Sequence, residues 1–256
     1  MRENTFELPA DPRLLVKIPA GRIDVETQPG SEAFVRLSPL TDDPAAREAI
    51  EGAHVELHGN ELAVETKDKR FRLGSPPEIH AEIRCPDGTS ARLDTASGDI
   101  RSRGTLGETK THVASGDVEL QRVDGRLEAH SASGDLRVEL VSGDASIHTA
   151  SGDLGVRRSE AGVKVHSASG DVDLGDAGGG PIKIKSASGD VRVAVRPGRR
   201  VAVDVRTVSG EATSAIPLDG DGGEDADAPL VEIQVNGVSG DVRIERASTE
   251  VAALDS

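Results

Sequence analysis

The tripeptide Ser-Gly-Asp begins at Ser97, Ser115, Ser133, Ser151, Ser169, Ser188 and Ser239, with a Ser-Gly-Glu variant at Ser209 and, apart from this series, a half-coil copy ending at Asp144. Successive spacings are 18, 18, 18, 18, 19, 21 and 30 residues. A repeat of nearly constant period outweighs any local pattern, because each unit buries its apolar face only against its neighbours. A second glycine falls about halfway round most units, as Gly107, Gly125, Gly143, Gly162 and Gly198 do, so each unit has two turns. Between turns the apolar residues alternate, as in Asp117-Val118-Glu119-Leu120 and Gly162-Val163-Lys164-Val165. Alternation with period 2 means strands with one face inward and one outward.

Two short strands and two glycine turns per 18 residues describe a flattened coil, and coils of constant length stack in register about 4.8 Å apart. The expected fold is therefore all-β, a two-sheet β-solenoid. Its corners are Gly98, Gly116, Gly134, Gly152, Gly170, Gly189, Gly210 and Gly240, where positive φ or close backbone approach excludes a Cβ. The inward columns are expected to include Val118, Leu120, Leu136, Val138, Leu154, Val156, Val172, Leu174, Val191 and Val193.

Residues 1–93 read as a cap with degenerate first coils, 94–246 as the regular solenoid with an acidic loop at 217–229, and 247–256 as a tail, all in one continuous structural domain. Pro19-Ala20-Gly21-Arg22-Ile23-Asp24-Val25 looks like a worn copy of the corner motif. Asp43-Pro44 through Gly52 has an acidic N-cap, Pro at the first helical position and Gly past the end, which predicts one short helix plugging the first coil. Asp219 through Asp227 is an acidic, glycine-rich excursion that accounts for the 30-residue last spacing.

With Ala-Ser-Gly-Asp-Val corners behind a non-repeating, β-rich start, residues 14–246 resemble a bacterial β-strand-repeat family of unknown function whose members are often labelled as adhesins. The resemblance implies the solenoid fold and no catalytic residues. Some relatives are associated with cell-envelope stress, so a part in that response is an expectation here.

Composition narrows the function further. Three Phe with no Tyr or Trp leave almost no rings for stacking on bases, sugars or quaternary amines. A net charge of -15 repels phosphate backbones and anionic lipid, which argues against nucleic acid as a partner and against direct membrane insertion. No stretch of about 18 apolar residues and no signal-peptide pattern occurs, and the single Cys85 excludes an internal disulfide. A cytoplasmic protein is expected, with Cys85 a buried thiol.

A repeat turns each surface position into a column, so chemistry is sought in columns. The corner carboxylates are Asp99, Asp117, Asp135, Asp153, Asp171, Asp190, Glu211 and Asp241. Stacked like charges need backbone N–H groups or cations. A calcium ladder is one reading, and carboxylates bonded to turn backbone are the plainer and preferred one. His112, His130, His148 and His166 form a second, outward column that Lys185 continues, either a transition-metal or pH-responsive row or a stacked polar ladder, the latter preferred.

The hexapeptide His-Ser-Ala-Ser-Gly-Asp holds nucleophile, base and acid types, but it recurs at His130 and His166 whereas a catalytic constellation is needed once. Gly178-Gly179-Gly180-Pro181 reads as a loosened half-turn. The function expected is therefore non-enzymatic: a rod presenting repetitive faces to a protein partner, with no cofactor and with the oligomeric state left open. A metal-binding or pH-responsive solenoid comes second, and an enzyme acting on polysaccharide third.

Overall fold

The computed structural model describes residues 1–66, 76–216 and 228–248. The acidic stretch 219–227 and the tail from 249 onward lie outside them. The chain divides after Gly134 into two compact units, Met1–Gly134 and Asp135–Ser256.

In the first unit, strands β1 (Arg2–Glu7), β2 (Arg13–Gln28) and β3 (Glu32–Pro39) precede the one helix, α1 (Pro44–Glu51). They are followed by β4 (His54–His58), β5 (Glu61–Glu65), β6 (Glu78–Pro86), β7 (Ser90–Leu106), β8 (Thr109–Ser115), β9 (Val118–Val123) and β10 (Leu127–Ser133). The pairing order is not the sequence order. β2 runs parallel to β7 with Gly21 beside Gly98, so Gly21 is a true corner. On its other side β2 pairs in parallel with β5 and then β6. A coil made of β5 and β6 thus lies outside the coil that precedes it in the chain.

Antiparallel strands close that end. β4 covers β5, β3 covers β6, and β1 lies on β3. Reversing direction ends the parallel stack without leaving a long flat edge to template further pairing. The helix forms as its signals predict: the Asp43 side chain accepts a hydrogen bond from the Ala45 N–H, and Pro sits at the first helical position. Its buried Ala46 and Ile50 turn inward, and it packs on β3 and β6.

In the second unit two strands make each coil: β11 (Leu136–Val141) and β12 (Ala145–Ser151), then β13 (Leu154–Ser159) with β14 (Val163–Ser169), and β15 (Val172–Ala177) with β16 (Ile182–Ser188). β17 (Val191–Val195), β18 (Arg200–Ser209), β19 (Ala212–Ser214), β20 (Leu230–Ser239) and β21 (Val242–Arg246) follow. All pair in parallel. Here too the last two coils exchange places. β16 and β17 pair with β20 and β21, and β18 and β19 lie beyond them. The 30-residue spacing between Ser209 and Ser239 therefore includes a change of coil order as well as an acidic excursion.

The ten inward residues expected from alternation are all buried, none more than 2% exposed. The corners explain the glycines. Among the described residues Gly116, Gly134, Gly152, Gly170, Gly189, Gly210 and Gly240 have φ between 113° and 133°. Gly98 does not share that φ, but a Cβ there would lie 2.4 Å from the Gly21 carbonyl oxygen. The first Ser of Ser-Ala-Ser points inward, with Ser131, Ser167 and Ser186 all buried near the narrow corner. Cys85 is fully buried and free, and burial pushes its thiol pKa up to about 11.

Candidate functional site

Three features carry charge chemistry: the corner carboxylates, the column containing the histidines, and an ion cluster at a half-turn.

Six of the corner carboxylates, Asp99, Asp135, Asp153, Asp171, Asp190 and Asp241, are tied to the next coil's backbone. In the first unit the Asp117 N–H donates to Asp99 Oδ1 at 3.2 Å. In the second, the Asp153, Asp171, Asp190, Asp241 and Glu211 N–H groups donate in turn to Asp135, Asp153, Asp171, Asp190 and Asp241, at 2.8–3.0 Å. The ladder follows the stack, so Asp241 precedes Glu211. Each such carboxylate satisfies an amide at the tight turn through a charge-assisted hydrogen bond. Among the described residues no group of three or more His, Cys, Asp or Glu side chains converges as a metal site.

The histidines stack in pairs. The His112 and His130 rings are 4.9 Å apart and 3° from parallel, and the His148 and His166 rings 4.9 Å apart at 13°. All four are half-buried and alternate with inward residues. Their electrical settings differ. In the first unit His112 Nδ1 lies 3.0 Å from Asp94, and His130 Nε2 lies 3.3 Å from Glu128, which also pairs with Lys110 at 3.2 Å. Lys110 and His130 hold the Glu128 carboxyl below its usual range.

In the second unit the outward positions of β12 carry Ser146 and His148, and those of β14 and β16 carry three lysines and His166. Lys164 stands beside Lys183 on the next strand, and His166 beside Lys185. Their neighbours on β20 are the neutral Gln234 and Asn236. None of the three lysines forms an ion pair among the described residues. Asp204 on β18, beside Gln234 in the same row, is engaged by Arg206 at 3.3 Å, and Glu232 lines the concavity that Lys183 borders. Burial, and then repulsion from Lys164 and Lys185, lower the His166 pKa. Directly opposed like charges destabilise a sheet.

The ion cluster was not legible from motifs. Arg196 reaches back to the nearly buried Asp176, with bonds of 2.9–3.1 Å, and to Glu160 at 2.8 and 2.9 Å, while Arg158 bonds Glu160 at 2.8 Å. Its guanidinium lies where a Cβ on Gly178 would be, 2.6 Å from Nη1. The glycine run that reads as a loosened half-turn is thus the seat of an arginine. Hydrogen bonds from Arg196, then from Arg158, pull the Glu160 carboxyl down to about 2 against the opposing effect of burial.

Comparison with known proteins agrees with this architecture. No curated protein matches the chain in sequence. Among solved structures it is similar to a candidate adhesin from Bacteroides fragilis at 14% identity, with 94% of this chain and 96% of that one covered and a TM-score of 0.47. A candidate adhesin from Parabacteroides distasonis is similar at 12% identity, 94% and 96% coverage and a TM-score of 0.47. A candidate lipid-binding protein from the same species is similar at 10% identity, 96% and 94% coverage and a TM-score of 0.31. The profile of the family described as Toastrack DUF4097 matches residues 16–245, nearly the whole stack, and the chain belongs to that family.

Proposed function

We propose that this protein is a non-enzymatic interaction module whose second unit presents a rigid cationic face to an acidic protein partner. The observation that carries the reading is the contrast between equivalent positions. Glu128 and Asp94 neutralise the column in the first unit. In the second, Lys164, Lys183, Lys185 and His166 stand together without a described counter-ion, on a chain of net charge -15. Such a cluster costs stability when free and recovers that cost when a complementary surface covers it. Register holds the four groups at fixed spacing, so a partner with repeated carboxylates engages several at once, and avidity multiplies weak contacts. The reading retains the expectations of a cytoplasmic location, where a lone reduced thiol such as Cys85 is stable, and of a part in envelope stress.

The test is binding of a fluorescent poly-glutamate peptide to the full chain, compared with a Lys164→Gln, Lys183→Gln, Lys185→Gln variant. Saturable binding that weakens with salt and falls at least about tenfold in the variant supports the reading. Equal binding by both proteins refutes it. The same pair used as baits in native lysate then identifies the partner as the protein retained by wild type alone.

A further inference from the structure

A pocket of about 280 Å³ opens on the first unit, bordered by Phe34, by the arginines 22, 36, 84, 101 and 103, and by the carboxylates Asp24, Glu26 and Glu82. Five guanidiniums on one small concavity of a strongly acidic protein call for an account. Most are matched. Arg36 pairs with Glu3 and Glu82, Arg84 with Glu26, and Arg101 with Glu119. Asp24, which also lines the pocket, is taken by His80 at 2.5 Å.

Two arginines are not used up in this way. Arg103 makes no ion pair or hydrogen bond with any described residue. Arg22 has only a loose 3.7 Å contact to Asp99, and its Nε–H is buried with no acceptor. The rest of the Arg22 side chain is 38% exposed and lines the pocket, so the unmet Nε–H belongs to a guanidinium that a ligand oxygen can approach.

The backbone that presents Arg103 is a constructed feature. The register of β7 with β9 shifts between Ser102 and Thr105, a bulge containing Arg103 and Gly104. Gly104 has φ +83°, and its N–H donates to Gln121 Oε1 at 2.7 Å. The Thr105 N–H donates to Thr27 Oγ1 at 2.7 Å, and that hydroxyl donates to Asp87 at 2.5 Å. A Cβ on Gly104 would lie 2.2 Å from Thr27 Oγ1. Bulges of this kind re-aim a side chain. Here the bulge sets an unpaired guanidinium at the pocket rim. Opposite, the Phe34 ring lies against two further guanidiniums, with Arg36 Cζ 5.3 Å and Arg84 Cζ 6.0 Å from its centroid, which fixes their planes.

We propose that this pocket binds an oxyanion, a phosphate or carboxylate group, with Arg103 and Arg22 as its principal donors and Phe34 as its wall. Guanidinium forks match both groups through paired N–H···O bonds. The site is independent of the cationic face on the second unit, so either can fail alone.

Inorganic phosphate and succinate are titrated separately into the full-length protein at constant ionic strength, with chloride as the control, and read by calorimetry and by the arginine Nε–Hε NMR signals. The expected result is a saturable shift of the Arg22 Nε–Hε signal and binding about tenfold weaker in Arg103→Gln. Lys164→Gln should bind like wild type. Binding of phosphate alone identifies a phosphoryl ligand, and binding of succinate alone a carboxylate ligand. No saturable binding of either, or equal binding by Arg103→Gln, overturns the proposal. If Arg103→Gln fails to fold, the NMR titration of the wild-type chain decides by itself: an unmoved Arg22 signal is the refuting result.

Discussion

Replacing Gly170 with Ala adds a single methyl group at the surface-facing corner, yet it should be among the most damaging small changes in the second unit. The residue has φ +115°, outside the region that L side chains occupy at low cost, and its Cβ would fall 2.2 Å from the Gly152 carbonyl oxygen and 2.7 Å from that carbonyl carbon. Neither atom can retreat. Ser151 pairs with Ser169 on one side of the corner and Leu154 with Val172 on the other, so the two coils are pinned at ladder distance. Backbone strain of about 1–3 kcal/mol adds to overpacking of about 1–3 kcal/mol, giving roughly 2–6 kcal/mol in all. That is a large part of the 5–15 kcal/mol, roughly, that holds a typical domain folded. Gly155 is the matched control, since a Cβ there meets nothing within 4 Å. In a strand, Gly155→Ala should stabilise by about 0.5–1 kcal/mol through lower unfolded-state entropy. The chain has no Trp or Tyr, so urea unfolding is followed by far-ultraviolet circular dichroism. Opposite shifts of the two midpoints are expected at unchanged slope. A Gly170→Ala protein within about 0.5 kcal/mol of wild type would refute the corner argument.

Glu160 ties stability to acid. Its folded pKa of about 2 lies below the ordinary 4.5, so its contribution is complete above pH 4.5 and is lost as pH falls through about 2. The shift corresponds to a ceiling of roughly 3 kcal/mol, cut to about 1–2 kcal/mol because the side chain is a third exposed. Glu160→Gln should flatten the wild-type decline in urea midpoint between pH 4.5 and 2.5, and parallel declines would exclude the ion cluster as the cause. His166 has the same sign at higher pH. Its lowered pKa means the folded chain binds fewer protons there, so its contribution is present above the ordinary 6.5 and lost as pH falls through the depressed folded value. His166→Gln should reduce that loss, and so should Lys185→Gln, which removes one source of repulsion. An unchanged profile in both variants would show that the column exerts no strain.

The features legible in the sequence were those that one residue type dictates locally. Period-2 alternation placed Val156 and Leu174 inward, the Asp43-Pro44 to Gly52 signals placed the helix, and recurrent Gly placed the corners. What was not legible depends on which coils become neighbours. Nothing near Ser209 or Ser239 signals that Gly240 stacks on Gly189, 51 residues earlier, because every corner is chemically equivalent and the ladder accepts either order. The Arg196 cluster joins residues 20 and 36 apart; the larger separation is two repeats, but no motif marks Arg196, Asp176 and Glu160 as partners. The unequal charge of the histidine column was written in the sequence, two residues before each histidine, as Lys110, Glu128, Ser146 and Lys164. It is found only by reading adjacent columns together.

The exchanged coil order at the two chain ends has a common physical logic. In the first unit β2, the first long strand, is paired on both edges, and in the second the final strands β20 and β21 are likewise paired on both edges. The outermost coils are instead β5 with β6 and β18 with β19, each continued by covalent chain at both of its ends. A terminal coil that was also a chain terminus would fray strand by strand, gaining chain entropy with each residue released. An outermost coil tethered at both ends can detach only as a closed loop, whose freed entropy is smaller because its ends stay together. In the second unit the exchange opposes fraying where apolar cover is thinnest, while in the first β3 and β4 cover the β5–β6 coil. Unit two shows the need for it: the inward Val201, Val203 and Val205 of β18 are half-buried, whereas Val231, Ile233 and Val235 of β20 are buried. The coil with least apolar cover is the one held at both ends, and the chain's last coil is enclosed by it.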